Sequence, residues 1–357
     1  MYDAFGIVNS ASRNIYVEGM QDYRPIGAFS FLGRYRVIDF PISNMSNSGI
    51  DRIQVYVNQK PRSLVEHVGT GRHYNINSKS GRLHLLFSEA RAVNDLYNTD
   101  IASYLENMEY VRRLRNPYVV IAPNYMVYTI DYSSLIQTHV ESGADITLLY
   151  HAVDNAKDSY LSCNILNLNK QKGVLSIEPN HGNVKNRNIF MDTYIMKTEL
   201  FIELVYKAKE MSSMFTLSDI VNEECGELDV RGVAHRGYFA SITDFKSYYE
   251  ANMALIDYKS AQNLFHEEWP IYTRTNDSVV SNGCMVHGTI ENSIIGRGCV
   301  IKKGAVIRNS IVLGGCVIGE NVHIENQVVD KQAKITRGRE IISQEGNPGY
   351  IKRGDML

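Results

Sequence analysis

The sequence predicts an α/β domain with a mostly parallel sheet, followed by a smaller domain that folds as a parallel β-helix. Two observations predict this fold class. In the first 250 or so residues, short apolar runs alternate with longer segments of helical spacing, which is typical of βαβ units. After about residue 275, aliphatic residues instead recur every five or six positions, which is typical of hexapeptide coils.

The elements of the first region follow from these patterns in order. Four apolar runs predict strands, over residues 5–9, 53–57, 118–122 and 145–150. Helical spacing predicts helices over 101–115 and 132–142, and Gly143 suits the end of the second helix. A third helix is expected over 245–269, where Pro270 ends it. Strands that alternate with helices form a parallel sheet, which binds ligands at the carboxyl ends of its strands.

The second region keeps a regular spacing over nine positions. They are Val279, Met285, Ile290, Ile295, Ile301, Ile307, Val312, Ile318 and Ile324. Each is expected to point into a prism of stacked coils, with small residues at the corners. Several ordinary antiparallel strands are the alternative. Because the faces and end coils of a β-helix are open, we expect it to dock on the first domain and on another subunit.

Charge and cysteine usage exclude several classes of protein. The net charge of −2 provides no basic field for nucleic acid. Five scattered cysteines without a C-x-x-C pair indicate reduced thiols and a cytoplasmic protein. No run reaches the roughly 20 apolar residues that span a membrane, and the N-terminus does not read as a signal peptide. We therefore expect no nucleic-acid partner and no membrane.

Catalytic motifs are scarce. The sequence contains no phosphate-binding G-x-x-x-x-G-K-[ST] loop, no H-E-x-x-H and no G-x-S-x-G. Residues 9–14, after the first predicted strand, contain no glycine, and Asn124 follows the third strand where a metal-binding carboxylate often lies. Arg34 and Arg36 could hold a phosphate or pair with Asp39, and the residues alone favour the pairing. The strand pattern suggests nucleotide chemistry, but these positions do not supply it.

The segment that contains those arginines carries a family resemblance. GRYRVIDFPISNMSNSGI at 33–50 resembles the G-G-[RK]-[YF]-R-[LI]-I-D-F-x-[LI]-S-N-x-x-N-S-G-I block of glucose-1-phosphate adenylyltransferases. Further matches follow in the same order at 116–132, 237–256 and 269–274. The resemblance implies a Rossmann-like nucleotidyltransferase domain over 1–250, a connecting helix and linker over 251–275, and a left-handed β-helix over 276–357. It also implies a tetramer under allosteric control.

Departures from the family pattern carry the functional prediction. The resemblance assigns two Mg²⁺-binding aspartates to positions that hold Asn124 and Ser241, and a sugar-phosphate lysine to the position of Glu178. The glycine-rich loop, the adenine motif and the sugar motif are altered as well, over 9–15, 98–102 and 190–194. We therefore expect no catalytic residue and no metal site in this chain. Mg²⁺ is expected only in a catalytic partner subunit.

The predicted function is that of a regulatory or assembly subunit of ADP-glucose pyrophosphorylase in glycogen biosynthesis. The sequence resembles the degenerate, non-catalytic subunit of the Gram-positive type, which would work in a hetero-oligomer, expected to be a tetramer, with the catalytic subunit. Two alternatives stay open. One is an active nucleotidyltransferase that uses other acids, such as Asp100, Asp131 or Asp192. The other is a stand-alone sensor of sugar phosphate or nucleotide.

Basic residues near the family's activator site predict an anion pocket. They are Arg24, Arg36, Lys60, Arg62 and His67. The expected effector is a phosphorylated sugar, for example fructose 1,6-bisphosphate, because arginine binds phosphate through paired hydrogen bonds. A solvated basic surface along a subunit interface is the alternative, and the sequence does not decide between them.

Overall fold

The computed structural model describes residues 3–10, 15–58, 60–69, 71, 74, 76, 81–88, 95–264, 273–275 and 278–357. The chain divides into two units. The first contains Met1–Tyr16, Arg24–Gly27 and Ile38–Phe239. The second contains Val17–Tyr23, Ala28–Val37 and Ala240–Leu357, so two short segments from the amino-terminal part of the chain belong with the carboxyl-terminal part.

Strands and helices alternate along most of the first unit. Up to residue 241, the described strands are β1 (Ala4–Asn9), β2 (Ser30–Phe31), β3 (Tyr35–Arg36), β4 (Arg52–Val57), β5 (Arg82–Phe87), β6 (Tyr118–Pro123), β7 (Met126–Tyr128), β8 (Ile146–Val153), β9 (Asn164–Leu168), β10 (Val174–Pro179), β11 (Arg187–Lys197), β12 (Val230–Ala234) and β13 (Phe239–Ser241). The described α-helices are α1 (Asp39–Asn47), α2 (Arg62–Val68), α3 (Asp100–Glu106), α4 (Met108–Arg112), α5 (Tyr132–Ser142), α6 (Thr198–Met211), α7 (Leu217–Glu224), α8 (Phe245–Met253) and α9 (Tyr258–Leu264).

A nine-stranded sheet forms the centre of the first unit. Its main path runs β10-β9-β11-β6-β1-β4-β5, and β8 pairs with both β11 and β12. Neighbours β6, β1, β4 and β5 run parallel, as do β8 and β12, whereas β11 runs antiparallel to β6, β8 and β9. The four strands predicted from apolar runs are confirmed as β1, β4, β6 and β8.

Aromatic side chains fill the space between this sheet and its helices. The ring centroids of Tyr56 on β4 and Tyr104 on α3 are 5.1 Å apart, and so are those of Tyr104 and Phe201 on α6. All three side chains are fully buried. Burying side chains of this size contributes roughly 1.5–3 kcal/mol each. This packing fixes α3 and α6 against the sheet.

Two predicted helices differ from the structure. The helix expected over 101–115 is interrupted at Asn107, whose side-chain amide donates to the Ser103 carbonyl oxygen over 3.1 Å and so competes with the helical pattern. The helix expected over 245–269 begins as predicted but forms two helices, α8 and α9. Its predicted end at Pro270 lies outside the described residues.

The second unit contains the β-helix. Its strands are β14 (Thr273–Thr275), β15 (Ser278–Val280), β16 (Met285–Val286), β17 (Thr289–Glu291), β18 (Ile294–Ile295), β19 (Val300–Ile301), β20 (Val306–Arg308), β21 (Ile311–Val312), β22 (Val317–Ile318), β23 (His323–Glu325), β24 (Gln327–Val329), β25 (Lys334–Ile335), β26 (Glu340–Ile342) and β27 (Gly349–Ile351). From β15 onward they form three parallel sheets, ordered β15-β18-β21-β24-β27, β16-β19-β22-β25 and β17-β20-β23-β26, and β14 adds antiparallel to β15. Parallel pairing excludes the alternative of ordinary antiparallel strands.

The predicted interior of the β-helix is confirmed at eight of the nine positions, which are buried. Met285 is the exception, since it is 57% exposed, and Cys284 packs against the interior in its place. Among the described strands, β16 pairs only with β19, so Met285 lies on the edge strand of its sheet. An edge coil has a neighbour on one side only, which is why the spacing rule is weakest there.

A coil built of three hexapeptides would repeat every eighteen residues, but the coils of this β-helix repeat at a shorter interval. Ile290, Ile307 and Ile324 occupy one register at intervals of 17 residues. One corner of three successive coils is an asparagine with a left-handed backbone: Asn292, Asn309 and Asn326 have φ of 43°, 45° and 53°. The last coil is longer, because Val328 pairs with Tyr350 and residues 344–347 are exposed outside the stack.

Segment 28–37 belongs to the second unit through contacts with α8. The Tyr248 hydroxyl donates to the Ser30 carbonyl oxygen over 2.6 Å, and the Leu32 amide donates to the Asn252 side chain over 2.8 Å. Phe29 packs edge-on against Tyr248. Among the described residues, no helix is both long and apolar enough to cross a bilayer.

Candidate functional site

A polar cleft of about 200 Å³ lies in the first unit. Its lining residues are Asn9, Ser10, Asn58, Asn98, Thr99, Asp100, Pro123, Tyr125, Ser162, Asn164, Ile177, Pro179, Asp192, Tyr194, Thr216, Ser218 and Asp219. Asn9 ends β1, Asn58 follows β4 and Pro123 ends β6. These three strands are parallel neighbours, so their carboxyl ends meet at one edge of the sheet. The cleft therefore lies at the edge where the strand pattern predicted ligand binding.

Asp100 is the first residue of α3 and lies in the wall of the cleft. Its Oδ1 accepts hydrogen bonds from the backbone amides of Ile101 at 2.8 Å and Leu217 at 3.1 Å, and its Oδ2 accepts one from Asn9 Nδ2 at 3.3 Å. Burial raises the pKa of Asp100 to about 7, although the two backbone hydrogen bonds act against that rise. This carboxyl therefore keeps its proton to a higher pH than an exposed aspartate does.

Asp192 faces the cleft from β11. Strand β11 changes register against β8 between Phe190 and Tyr194, and Asp192 has a left-handed backbone with φ of 43°. Its carboxyl accepts a hydrogen bond from the buried Tyr125 hydroxyl. Burial raises the pKa of Asp192 to about 6, and the hydrogen bond from Tyr125 lowers it in part.

The charge of the cleft is acidic. Its described lining includes three carboxyl groups, from Asp100, Asp192 and Asp219, and no lysine, arginine or histidine. Asp219 also accepts a hydrogen bond from the Thr216 backbone amide at 2.8 Å, within the capping box of α7. Each carboxyl is thus held by donors of the protein itself and cannot swing away from the cleft without losing them.

The residues that the resemblance assigns to the family's catalytic positions do not line the cleft. Asn124 is buried, and its backbone amide donates to the Asn9 carbonyl oxygen over 2.9 Å, but its side chain does not line the cleft. Glu178 lies on β10 between Ile177 and Pro179, which do line it. Side chains alternate along a strand, so Glu178 points the other way, into solvent. Ser241 ends β13 and is buried in the second unit.

Glu178 is held in its ionised form. Its carboxylate accepts a hydrogen bond from the Ser176 hydroxyl over 2.7 Å, and this contact lowers the pKa of Glu178. The position that the resemblance assigns to a lysine therefore carries a negative charge at neutral pH.

Three acids were predicted as alternatives to the family's aspartates, and the structure brings only two of them together. Asp100 and Asp192 come together in the cleft, whereas Asp131 accepts a hydrogen bond from the Ser133 amide at 2.9 Å and caps α5. Sequence reasoning did not single out Asn58, Ser162 or Asn164, since each is an ordinary polar residue after or between strands. Only the pairing of distant strands brings these residues to one cleft.

The predicted anion-binding residues are distributed over both units. Arg24 is buried, and Lys60 is exposed with φ of 46°. Arg62 pairs with Glu66 at 2.9 Å on the surface of α2. Arg36 ends β3, in the second unit.

The fifth member of this group, His67, is engaged by a carboxylate. Its Nε2 lies 2.6 Å from Asp39 Oδ1, which also accepts a hydrogen bond from the Tyr74 hydroxyl at 2.6 Å. The anion pocket stays a prediction.

The two positions that the resemblance assigns to Mg²⁺ binding hold no carboxylate. No group of three His, Cys, Asp or Glu side chains in the described ranges lies close enough to hold a metal ion. The amide of Asn124 and the hydroxyl of Ser241 are neutral, whereas Mg²⁺ is bound in proteins through carboxylates. Residues 11–14, within the predicted phosphate loop, and residues 269–272 lie outside the described part of the chain.

Comparison with known proteins covers nearly the whole chain. The nucleotidyl transferase family profile matches residues 23–258, and the profile of the GlmU-like C-terminal hexapeptide matches residues 261–346. The glycogen biosynthesis protein GlgD of Bacillus subtilis is 28% identical over 98% of this chain and 95% of its own length. GlgD of Geobacillus stearothermophilus is 28% identical over 85% and 82%. The glucose-1-phosphate adenylyltransferase of Clostridium beijerinckii is 30% identical over 78% and 77%.

Proposed function

Because the chain belongs to the nucleotidyl transferase family, in the branch of glucose-1-phosphate adenylyltransferase and GlgD, we propose that it is a non-catalytic subunit of ADP-glucose pyrophosphorylase. It acts in glycogen biosynthesis by assembling with, and regulating, a catalytic subunit. The observation that carries the proposal is the acidic cleft at the sheet edge where a nucleotidyltransferase would join two phosphorylated substrates, since its described lining holds no lysine, arginine or histidine to bind them.

Charge opposes that reaction in this cleft. Nucleotidyl transfer brings a triphosphate and a sugar phosphate together, and both are anions. At an effective dielectric constant of about 20, one phosphate charge 4 Å from one carboxylate is repelled by about 4 kcal/mol. Asp100, Asp192 and Asp219 line the cleft, and its described walls offer no cation to offset them.

The positions that the resemblance assigns to the metal add to this argument. Asn124 and Ser241 replace the two aspartates, so neither side chain balances the charge of Mg²⁺. Losing a single electrostatic contact to a transition state typically costs about 100- to 1000-fold in rate. We propose that any Mg²⁺ used by the assembly is held by the catalytic partner. No step of the chemistry is assigned to this chain.

What remains intact supports a role in assembly. The β-helix has a continuous buried interior from Ile290 to Ile351, and the central sheet has a core of parallel strands. A chain that keeps its fold while its cleft opposes the reaction fits a partner subunit.

The proposal is tested by assaying ADP-glucose synthesis with ATP, glucose 1-phosphate and Mg²⁺. The purified chain, the glucose-1-phosphate adenylyltransferase of the same organism and their mixture are compared. We expect no synthesis by this chain alone and a changed maximal rate or effector response in the mixture. Synthesis by the purified chain, or a mixture that equals the sum of its parts with no complex on gel filtration, would contradict the proposal.

A second candidate function is supported by the two acids that the structure brings together. If Asp100 and Asp192 held a metal, the chain could be an active nucleotidyltransferase. To separate the two functions, the present chain is assembled with a catalytic subunit that has been inactivated by a substitution at its own metal-binding aspartate. Any ADP-glucose synthesis by this complex must then come from the present chain. Activity that persists in this complex, and is lost on Asp100→Asn with Asp192→Asn in the present chain, would establish the second function.

A further inference from the structure

We propose that the acidic cleft binds an uncharged sugar, as a free hexose or as the end unit of an oligosaccharide. Sugar binding goes beyond the proposed function, because it would need only the cleft of this chain, whereas the proposed function needs a catalytic partner subunit. It names a ligand class different from the phosphorylated substrates of the relatives.

The groups that line the cleft match the hydroxyls of a sugar. Each sugar hydroxyl donates one hydrogen bond and accepts others, so it needs acceptors and donors side by side. The side-chain amides of Asn9, Asn58 and Asn164 supply both, and the carboxyls of Asp100 and Asp192 add acceptors. These residues come from five separate segments, so the polar groups converge on one volume from several directions.

Apolar surface completes the lining. Pro123, Ile177 and Pro179 lie between the polar groups and suit the C–H faces of a sugar ring. The cleft, at about 200 Å³, is smaller than the roughly 300–1,000 Å³ of typical pockets for drug-sized ligands. One hexose ring suits this size better than a whole nucleotide does.

Fixed carboxyls disfavour the phosphorylated alternatives. Asp100 is anchored by the Ile101 and Leu217 amides, and Asp192 is held by Tyr125, so both stay in the cleft when a ligand arrives. A phosphate there would meet like charges at short range. A neutral sugar meets the same groups as hydrogen-bond acceptors.

A cationic ligand is also less well matched. Eleven of the seventeen described lining residues carry a neutral amide or hydroxyl group, and only three carry a carboxyl group. An ammonium group needs acceptors only, whereas amide and hydroxyl groups also present donors. The numerous amides and hydroxyls likewise suit a polyol.

Calorimetric titration of the full chain tests the proposal. The probes are glucose, maltotriose, glucose 1-phosphate and ATP with Mg²⁺. We expect one of the two neutral sugars to bind at least tenfold more tightly than either phosphorylated probe. Tighter binding of glucose 1-phosphate or ATP, or no binding of either neutral sugar, would overturn the proposal.

Two substitutions locate the binding. Ser162 is exposed at the rim, so Ser162→Trp fills the cleft without disturbing the core and should weaken sugar binding at least tenfold. Asp192→Asn keeps the shape and the left-handed backbone, which asparagine tolerates, but removes a charged acceptor. We expect it to weaken the sugar roughly tenfold, as loss of one charge-assisted hydrogen bond predicts.

Asp158→Asn is the matched control, because Asp158 is exposed and outside the cleft. It should leave sugar binding unchanged. Sugar affinity that survives both Ser162→Trp and Asp192→Asn, in variants that are at least as stable to heat as the parent chain, would place the sugar elsewhere and reject the site.

Discussion

Asp192 combines a left-handed backbone with a half-buried carboxyl that accepts a hydrogen bond from the Tyr125 hydroxyl. Burial raises its pKa from 3.8 to about 6, so the folded state keeps a proton that the unfolded chain has already released. The stabilising contribution of this carboxyl is therefore present below about pH 4 and is lost as the pH rises through about 6.

Because burial disfavours the ionised form of Asp192, replacing its ionisable group should stabilise the folded protein. Asp192→Asn removes the ionisable group while keeping the conformation, so we expect the free energy of unfolding at pH 8 to rise by about 1–2 kcal/mol. The difference between variant and parent should shrink as the pH falls from about 6 to 4. Urea unfolding at several pH values measures it. A difference that does not depend on pH would show that the carboxyl of Asp192 is not strained by burial.

Single residues of the cleft were predictable only in part. Asp100 and Asp192 lie in segments that the resemblance identifies as departing from the family's motifs, so the sequence predicted both as candidate acids. Asn58 and Ser162 carry no motif, and they reach the cleft because β4 and β9 are distant strands of one sheet. Glu178 shows the opposite case, since alternation along β10 turns its side chain away from the cleft.

At the scale of elements, the asparagine corners of the β-helix set the backbone of each coil. Asn309 has φ of 45°, and its Oδ1 accepts a hydrogen bond from Asn292 Nδ2 at 2.7 Å. A left-handed conformation costs most residues about 1–2 kcal/mol, whereas glycine adopts it freely.

Two substitutions at this corner isolate the backbone effect. Asn309→Ala and Asn309→Gly both lose the hydrogen bond, but only alanine is strained. Glycine adopts the left-handed conformation without strain, but it also makes the unfolded chain more flexible, which offsets part of that gain. We therefore expect the alanine variant to be less stable than the glycine variant by about 0.5–1 kcal/mol. Chemical denaturation of both variants checks this order. An alanine variant as stable as the glycine variant would mean that the corner relaxes out of the left-handed region.

The interior of the coils predicts a larger effect. Ile307 is fully buried in the prism, so Ile307→Ala should destabilise the second unit by about 2–5 kcal/mol. Lys303→Ala, on the exposed surface of the same coil, should change stability by less than about 0.5 kcal/mol. Thermal unfolding of the two variants provides the comparison. Equal melting temperatures would indicate that Ile307 does not support the stack.

Strands and helices were predicted well where the spacing of apolar residues repeats, and less well at the ends of a repeat. Eight interior positions of the β-helix follow the spacing, while Met285 on the edge strand β16 does not. The helix expected over 101–115 was interrupted because Asn107 hydrogen-bonds the backbone, a local competition that apolar spacing does not record.

At the scale of the whole molecule, the proposed non-catalytic role predicts that more than the two metal-binding positions would have to change for the chain to become active. Restoring the two aspartates alone, by Asn124→Asp with Ser241→Asp, should therefore leave the purified chain without ADP-glucose synthesis. The carboxyls of Asp100, Asp192 and Asp219 would still repel both substrates. A sensitive pyrophosphate-release assay measures the outcome, with the catalytic subunit as the positive control. Substantial activity in this variant would show that the metal ligands were the only missing part.

The longer final coil of the β-helix has a consequence of its own. Ile311 and Val328 pair 17 positions apart, whereas Val328 and Tyr350 pair 22 positions apart, yet the parallel register continues through both steps. The five additional residues are accommodated beside the stack. A recognition peptide grafted between residues 344 and 347 would then be displayed to solvent while every coil kept its partner, which makes this corner a natural attachment point for labels and tethers.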